Sequence, residues 1–209
     1  MAECTSTRSY RTHRNQRRLT CTNFSGDAMS DKHPRFSRLA VAAIVVHTVT
    51  YFVAGILAYL LLDYGELYAR PDMAGLMRQT TDPLVMAGPL FQPLRGFVFA
   101  LAVYPLRDIV FARPRGWLVL WGLFVALGIV STFGPAPGSI EGLIYTIISV
   151  PHQLLGLVEV VIQALLLAFG LVYWLNHPEK RWLPWLMYVA FAIVILLPLV
   201  GFLAGSGRA

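Results

Sequence analysis

The chain has 209 residues, of which 56% are apolar and 13% are charged, and its mean hydropathy is +0.60. A soluble domain does not combine so few charged residues with so many apolar ones. The net charge of +6 does not indicate a nucleic-acid partner, because Lys and Arg lie before and between long apolar runs instead of on one folded face. The composition therefore predicts an integral membrane protein.

Residues 1–38 precede the first long apolar run and are predicted to form a basic, disordered cytoplasmic tail. Arg17 and Arg18 are adjacent, but no apolar stretch follows them before Met29, so a twin-arginine export signal is not indicated. Met29 is an alternative start site, in which case residues 1–28 are not translated. Cys4 and Cys21 both lie in this tail, so neither cysteine can cross-link the apolar segments.

Five apolar windows are long enough to cross a membrane, which requires about 20 residues because the hydrocarbon core is about 30 Å thick. They are residues 39–62, 87–106, 116–134, 152–174 and 183–204. The second window is the weakest, since Pro89, Pro93 and Pro105 interrupt it. We therefore predict an all-α integral membrane protein, a bundle of about five transmembrane helices over residues 39–204.

Two shorter segments are predicted to lie at the membrane surface. Residues 140–150 are apolar but too short to cross, and Pro151 follows them, so we expect a short interfacial or re-entrant helix. Ser139 is the predicted N-cap of this helix and needs no role as a nucleophile. Residues 71–78 of the first outer loop are interpreted as an amphipathic helix or an ordinary loop.

Basic and aromatic residues predict the orientation, because cytoplasmic segments collect Lys and Arg and because Trp and Tyr collect at the interfaces. The segments placed inside contain Lys32, Arg35, Arg38, Arg107, Arg113, Arg115, Lys180 and Arg181, whereas those placed outside contain Arg70, Arg78 and Arg208. Four Trp fall at the inner boundary (Trp117, Trp174, Trp182 and Trp185), and Tyr64 and Tyr68 fall past the outer one. Both patterns predict a multi-pass plasma-membrane protein with a cytoplasmic N-terminus and a short external tail, residues 205–209.

Polar side chains in the fourth window share one helical face. Glu159 and Gln163 follow His152 by 7 and 11 residues, offsets that return within about 20° on a helix. Together with Gln92 and Arg95 they form the predicted polar intramembrane cluster. In it, Arg95 either pairs with Glu159 or extends to the outer head groups. The cluster is interpreted as a proton, ion or substrate site, or as a contact between helices.

A second polar stripe lies on the first window, where His47 and Tyr51 are one helical turn apart. A haem held by His47 and His152 is not predicted, because the topology places these residues at different depths. His47 is instead interpreted as a hydrogen-bonded core residue. Gly122 and Ala126 have the spacing of a close helix contact. No metal-ligand cluster or phosphate-binding loop is present in the sequence, so no metal and no cofactor are predicted.

Three classes of function remain open. The preferred one is a non-enzymatic membrane subunit or scaffold whose polar stripes bind other helices. The second is a small transporter or channel subunit that uses Arg95 and Glu159. The third is a membrane-embedded enzyme that acts on a lipid or isoprenoid at the outer leaflet. The expected partners are the lipid bilayer and other membrane proteins or copies of this chain, and no nucleic acid.

Overall fold

The computed structural model of the chain describes residues 34–70 and 78–206. Of these residues, 80% are helical and none forms a strand. The predicted all-α class is therefore confirmed for the described part of the chain. Residues 1–33, 71–77 and 207–209 lie outside it, and with them most of the predicted tail and of the predicted amphipathic segment 71–78.

In the described part of the chain, three helices are long and apolar enough to cross a membrane: α1 (Phe36–Leu62), α8 (Val150–Asn176) and α9 (Trp182–Ser206). In α9 the qualifying stretch is Trp182–Gly201. At about 1.5 Å of rise per residue, each stretch matches or exceeds the roughly 30 Å of a hydrocarbon core. These helices contain most or all of the first, fourth and fifth predicted windows, and they indicate a membrane location.

The second predicted window is not one continuous helix. Its central part is α4 (Gln92–Val103), with 3₁₀ turns at Gly88–Phe91 before it and Tyr104–Leu106 after it. Two further short helices flank this segment, α3 (Pro83–Met86) and α5 (Arg107–Val110). Proline causes the interruptions, because it lacks the N–H that continues an α-helical ladder and its ring clashes with the preceding turn.

The third predicted window is also shorter than expected. It begins as α6 (Gly116–Val125) and continues as a π-helical turn over Ala126–Val130, where Ser131 N–H donates to Ala126 O at 3.0 Å. The 15 helical residues rise about 22 Å, less than a full membrane crossing. The prediction of about five spans is therefore not confirmed by helix length in the described residues.

The segment before α8 contains a shorter helix than the predicted one, which covered residues 140–150. The helix present there, α7 (Ile140–Tyr145), has six residues. Ser139 is its N-cap, as predicted: its Oγ accepts a hydrogen bond from Gly142 N–H at 2.9 Å. Pro151 does not terminate this helix but lies in the first turn of α8, where proline is tolerated because that N–H has no intrahelical partner.

Successive helices run in alternating directions. Gly96 of α4 lies against Ile44 of α1, and Tyr104 lies against Phe36, so residue numbers rise along α4 as they fall along α1. In the same way Trp117 of α6 contacts Phe169 of α8, while the Trp121 indole N–H donates to the Val161 carbonyl at 3.2 Å. Both pairs of helices are therefore antiparallel.

One end of the bundle is closely packed, and we call it the packed end. It combines the first half of α1, the ends of α4 and α8, and the starts of α6 and α9. Its core consists of buried apolar side chains, among them Leu39, Ala43, Val103, Leu120, Leu171 and Leu183. We call the opposite end the polar end. It contains the end of α1, the start of α8 and the loop 131–149, and the polar residues of interest lie there or midway between the two ends.

Candidate functional site

A buried hydrogen bond joins α1 to the start of α4. His47 is 1% exposed, and its Nε2 lies 3.1 Å from Gln92 Oε1. Because the Gln92 amide nitrogen donates to the Gly88 carbonyl, the amide oxygen is the acceptor and the His47 Nε2–H is the donor. His47 Nδ1 is then a bare acceptor, and it has no hydrogen-bond partner among the described residues.

Next to His47, a cavity of about 350 Å³ opens between α1, α4, α6 and α8. One wall is aromatic: the Phe99 ring lies 4.9 Å from the His47 ring and 5.2 Å from the Phe124 ring. Leu167 and the π-helical turn contribute further apolar surface. The cavity is half open, and Val98 on its margin is 54% exposed. A cavity of this size falls within the range of small-molecule sites.

The polar residues that line this cavity are His47, Arg95, Thr132 and Gln163. The Arg95 guanidinium lies 5.8 Å from the centre of the Phe99 ring, and no carboxylate among the described residues is within salt-bridge distance of it. It is near enough to interact electrostatically with His47 and Tyr51. The structure therefore places an exposed cation beside a largely apolar cavity, without a counter-ion from the described part of the chain.

Nearer the polar end, Glu159 accepts a hydrogen bond from the Tyr64 hydroxyl. Tyr64 belongs to α2 (Tyr64–Ala69), the short helix that follows α1, and its ring stacks on Tyr68 at 5.1 Å. Burial, reinforced by the hydrogen bond to Glu159, raises the pKa of the Tyr64 phenol above its ordinary value. The phenol therefore stays protonated and remains a donor to the carboxylate.

His152 lies at the start of α8 between two polar partners. Arg70 Nη1 is 2.9 Å from His152 Nε2, and the Ser149 hydroxyl contacts His152 Nδ1. Arginine only donates, so Nε2 is the acceptor and the proton of the neutral ring is on Nδ1, facing Ser149. In this tautomer the imidazole donates to the serine oxygen and cannot accept its proton. The pair is therefore not arranged as a nucleophile and its base.

Gln153, next to His152, is a structural residue that the sequence patterns did not reveal. It is 1% exposed, and its Oε1 accepts from Gly138 N–H at 3.2 Å. Its Nε2 lies 3.2 Å from the Gly142 carbonyl and 2.9 Å from the Ile148 carbonyl. One side chain thus fastens the loop 131–149 to α8. Gln153 is about 100° away from the His152 stripe on the helix, so the search for polar stripes excluded it.

The five residues of the predicted cluster are distributed over separate sites. Arg95 and Gln163 share the cavity, whereas Gln92 pairs with His47 of the second predicted stripe. Glu159 and His152 take other partners near the polar end. The Arg95–Glu159 salt bridge, one of the two alternatives for Arg95, is not present among the described residues. Glu159 accepts from Tyr64 instead, because the short helix α2 brings that hydroxyl to it.

The glycines of α6 and α8 also differ in their surroundings. A Cβ at Gly170 would lie 3.0 Å from the Val46 side chain, so this glycine permits close packing of α8 on α1. A Cβ at Gly156 or Gly122 would meet nothing within 4 Å. The predicted close contact at Gly122 and Ala126 is therefore not made within the described chain. The tightest contact between long segments is at Gly96, which sequence spacing did not indicate.

Comparisons with protein-family models, with curated proteins and with solved structures find no match to this chain.

Proposed function

We propose that this chain is a non-enzymatic membrane subunit that crosses the plasma membrane five times, with its N-terminus in the cytoplasm and its C-terminus outside. The alternating directions of α1, α4, α6 and α8 support five crossings. Although α4 and α6 are short, they pack against α1 and α8. Irregular backbone at membrane depth is tolerated where protein covers it.

The main support for the non-enzymatic role comes from the contacts that the polar side chains make. His47 and Gln92 bond to each other, Trp121 bonds to the backbone of α8, and Gln153 fastens a loop. Each of these contacts joins two segments of the chain. They stabilise helix packing, as interhelical hydrogen bonds do in membranes.

Neither Ser139 nor Ser149 is arranged as a nucleophile. The Ser139 hydroxyl donates to the Ala136 carbonyl at 2.7 Å and accepts from Gly142 N–H, so both of its roles are occupied. Ser149 faces the protonated nitrogen of His152. In nucleophilic hydrolysis, one of these hydroxyls would instead have to donate its proton to a histidine nitrogen.

Helix α9 supports a role in assembly. Only 11% of its most apolar window is buried within the chain, compared with 56% for α1. The remaining surface of α9 is apolar along its length, with exposed Leu186, Ile193 and Leu197. Such a surface is covered by lipid or by a helix of a second polypeptide. We propose the second polypeptide.

Native mass spectrometry of the protein, taken from its own membrane in mild detergent, tests this proposal. We expect a complex that contains at least one other polypeptide. Replacement of Ile193 and Leu197 by Trp should remove the partner without unfolding the chain, because both side chains lie on the uncovered face of α9. A lone chain in every preparation would contradict the subunit role.

The orientation is tested separately with a periplasm-active phosphatase reporter. A fusion after Gly207 should be active, and a fusion after Arg113 should be silent, since five crossings from a cytoplasmic start place these residues on opposite sides. An inactive fusion after Gly207 would mean an even number of crossings.

A small transporter is the second candidate, and one observation favours it. The cavity beside His47 is large enough for a ligand and has a cation on its wall. A subunit held together only by helix packing would not require such a cavity.

A further inference from the structure

The cavity between α1, α4, α6 and α8 is amphipathic, and this property identifies a ligand class. At its polar side are the Arg95 guanidinium and the Gln163 amide, which together offer several N–H donors. Its other walls are Phe99, Phe124 and Leu167. We propose that this cavity binds an amphiphilic anion, with a compact oxyanion head on Arg95 and a single alkyl chain against the apolar walls.

The charge of Arg95 gives the first argument. A guanidinium stays ionised in proteins, and within a membrane-spanning bundle an ion is strongly disfavoured unless an opposite charge or polar groups face it. No carboxylate of the described chain pairs with Arg95, and Glu159 is engaged by Tyr64. An oxyanion head would supply the missing charge and match the paired donors of the guanidinium.

The volume gives the second argument. At roughly 30 Å³ per water-sized group, the cavity of about 350 Å³ accommodates on the order of a dozen non-hydrogen atoms. That is a carboxylate or phosphate head with about eight to ten chain carbons. A lipid with two long chains does not fit. The half-open margin at Val98 allows a chain to enter from the side of the bundle.

The cavity wall gives the third argument. The π-helical turn Ala126–Val130 contributes Gly128 and Ile129 to it, and π-turns inside helices are frequent at functional sites. His47, also on the wall, has an Nδ1 without a hydrogen-bond partner in the described chain. A buried nitrogen of this kind is an incomplete polar site. A carboxylate has no proton to donate to it, whereas a water molecule or the remaining P–OH of a singly ionised phosphate head would complete it. This site is independent of the subunit role proposed above.

The test measures equilibrium binding of ten-carbon probes to the purified protein in a non-ionic detergent. The probes are decanoate, decyl phosphate, decanol and decyltrimethylammonium, with acetate and inorganic phosphate as heads without chains. We expect at least one of the two chain-bearing anions to bind tenfold or more tightly than the alcohol and the cation. A preference between carboxylate and phosphate would identify the head. Equal binding of the cation, or equal binding of a head without a chain, would overturn the proposal.

Two pairs of variants locate the site. Arg95→Gln should weaken binding of the anion at least tenfold, and Arg95→Lys should weaken it less. Arg107→Gln is the control, because it also removes one guanidinium. The Arg107 guanidinium lies 4.3 Å from the Tyr104 ring, and Arg107 does not line the cavity, so this change should have no effect on binding of the anion. If Arg95→Gln binds as the unchanged protein does, Arg95 serves lipid head groups and the proposal is wrong.

The second pair changes the shape of the cavity without changing charge. Gly128→Leu should fill it, because a Cβ at Gly128 meets nothing within 4 Å and the residue lies on the wall. Gly122→Leu is the matched control, since Gly122 has equal space around it on α6 but does not line the cavity. Both variants should keep the melting temperature of the unchanged protein. Unchanged binding in both variants would show that the probes only partition into detergent, and equal loss in both would show that the effect does not depend on the cavity. Either result would overturn the proposal.

Discussion

The packed end and the polar end of the bundle are built from the same long helices but use different contacts. At the packed end, small residues such as Ala43, Gly96 and Ala168 allow helix backbones to approach, and large apolar side chains fill the remaining space. Towards the polar end, hydrogen bonds and a cavity occupy the space between the segments. The comparison indicates that the packed end contributes most of the stability of the fold. The polar end determines which ligand is bound and which segments pair.

The largest effect should come from a larger side chain at the tightest contact. A Cβ at Gly96 would lie 2.6 Å from Ile44 Cα, a backbone atom that cannot move aside cheaply. We expect Gly96→Val to cost at least the roughly 1–3 kcal/mol of an overpacked core and to reduce the amount of folded protein sharply. Gly122→Val is the control, since Gly122 has open space. Thermal unfolding in detergent is the measurement, and equal behaviour of the two variants would contradict the assignment of the packed end.

Loss of the Gln153 side chain should have the next largest effect. Gln153→Ala removes the partner of the Gly138 N–H and of the Ile148 carbonyl, at about 1–3 kcal/mol for an unsatisfied group. Gln163→Ala is a matched control on the same helix, because no hydrogen bond of the Gln163 side chain is present among the described residues.

Limited proteolysis reports this effect directly, because Gln153 fastens the loop 131–149 to α8. We expect faster cleavage of that loop in Gln153→Ala and unchanged cleavage in Gln163→Ala. If the loop is equally protected in both variants, it is held by contacts other than Gln153.

The smallest effect should come from the Tyr64 hydroxyl. Tyr64→Phe removes one hydrogen bond to Glu159, which we expect to cost about 0.5–1.5 kcal/mol. Tyr68→Phe is the control, since the Tyr68 ring stacks on Tyr64 but its hydroxyl makes no such bond. Both variants are compared with the unchanged protein by thermal unfolding.

The same variants have a predicted pH dependence. The folded protein holds the Tyr64 proton more tightly, because burial and then the bond to Glu159 raise the pKa of the phenol. Its contribution is therefore fully present below the ordinary tyrosine pKa of about 10 and is lost as the pH rises above that value. Tyr64→Phe should lessen the alkaline loss of stability. Burial also raises the pKa of Tyr68, so Tyr68→Phe should lessen it as well, but by a smaller amount.

The long apolar helices and the cap of a short helix could be predicted from the sequence, because both depend on residues that are close together in the chain. The windows 39–62, 152–174 and 183–204 coincide with the long helices, and Ser139 caps α7 as expected. The prolines signalled a weak second window. They did not show that it would divide into an α-helix between 3₁₀ turns.

Partnerships between helices could not be predicted in the same way. Helical periodicity shows which residues share a face, but it does not show which helix that face meets. Arg95 and Glu159 were matched by their estimated depth alone, whereas Glu159 is reached by Tyr64 from a connecting segment. Gln92 was assigned to the Arg95 cluster because it lies one helical turn before Arg95, although its side chain bonds to His47.

The π-helical turn Ala126–Val130 has a consequence for the evolution of the chain. A turn of this kind contains one residue more than the α-helical path it replaces, so it is equivalent to a single inserted residue. Without that residue, the direction in which the chain leaves this helix after Val130 would rotate by about 100° about the helix axis. Thr132 and Pro137, which now line the cavity, would turn away from it. A change of one codon in length could therefore create or abolish this cavity, while the packed end would keep its sequence and its contacts.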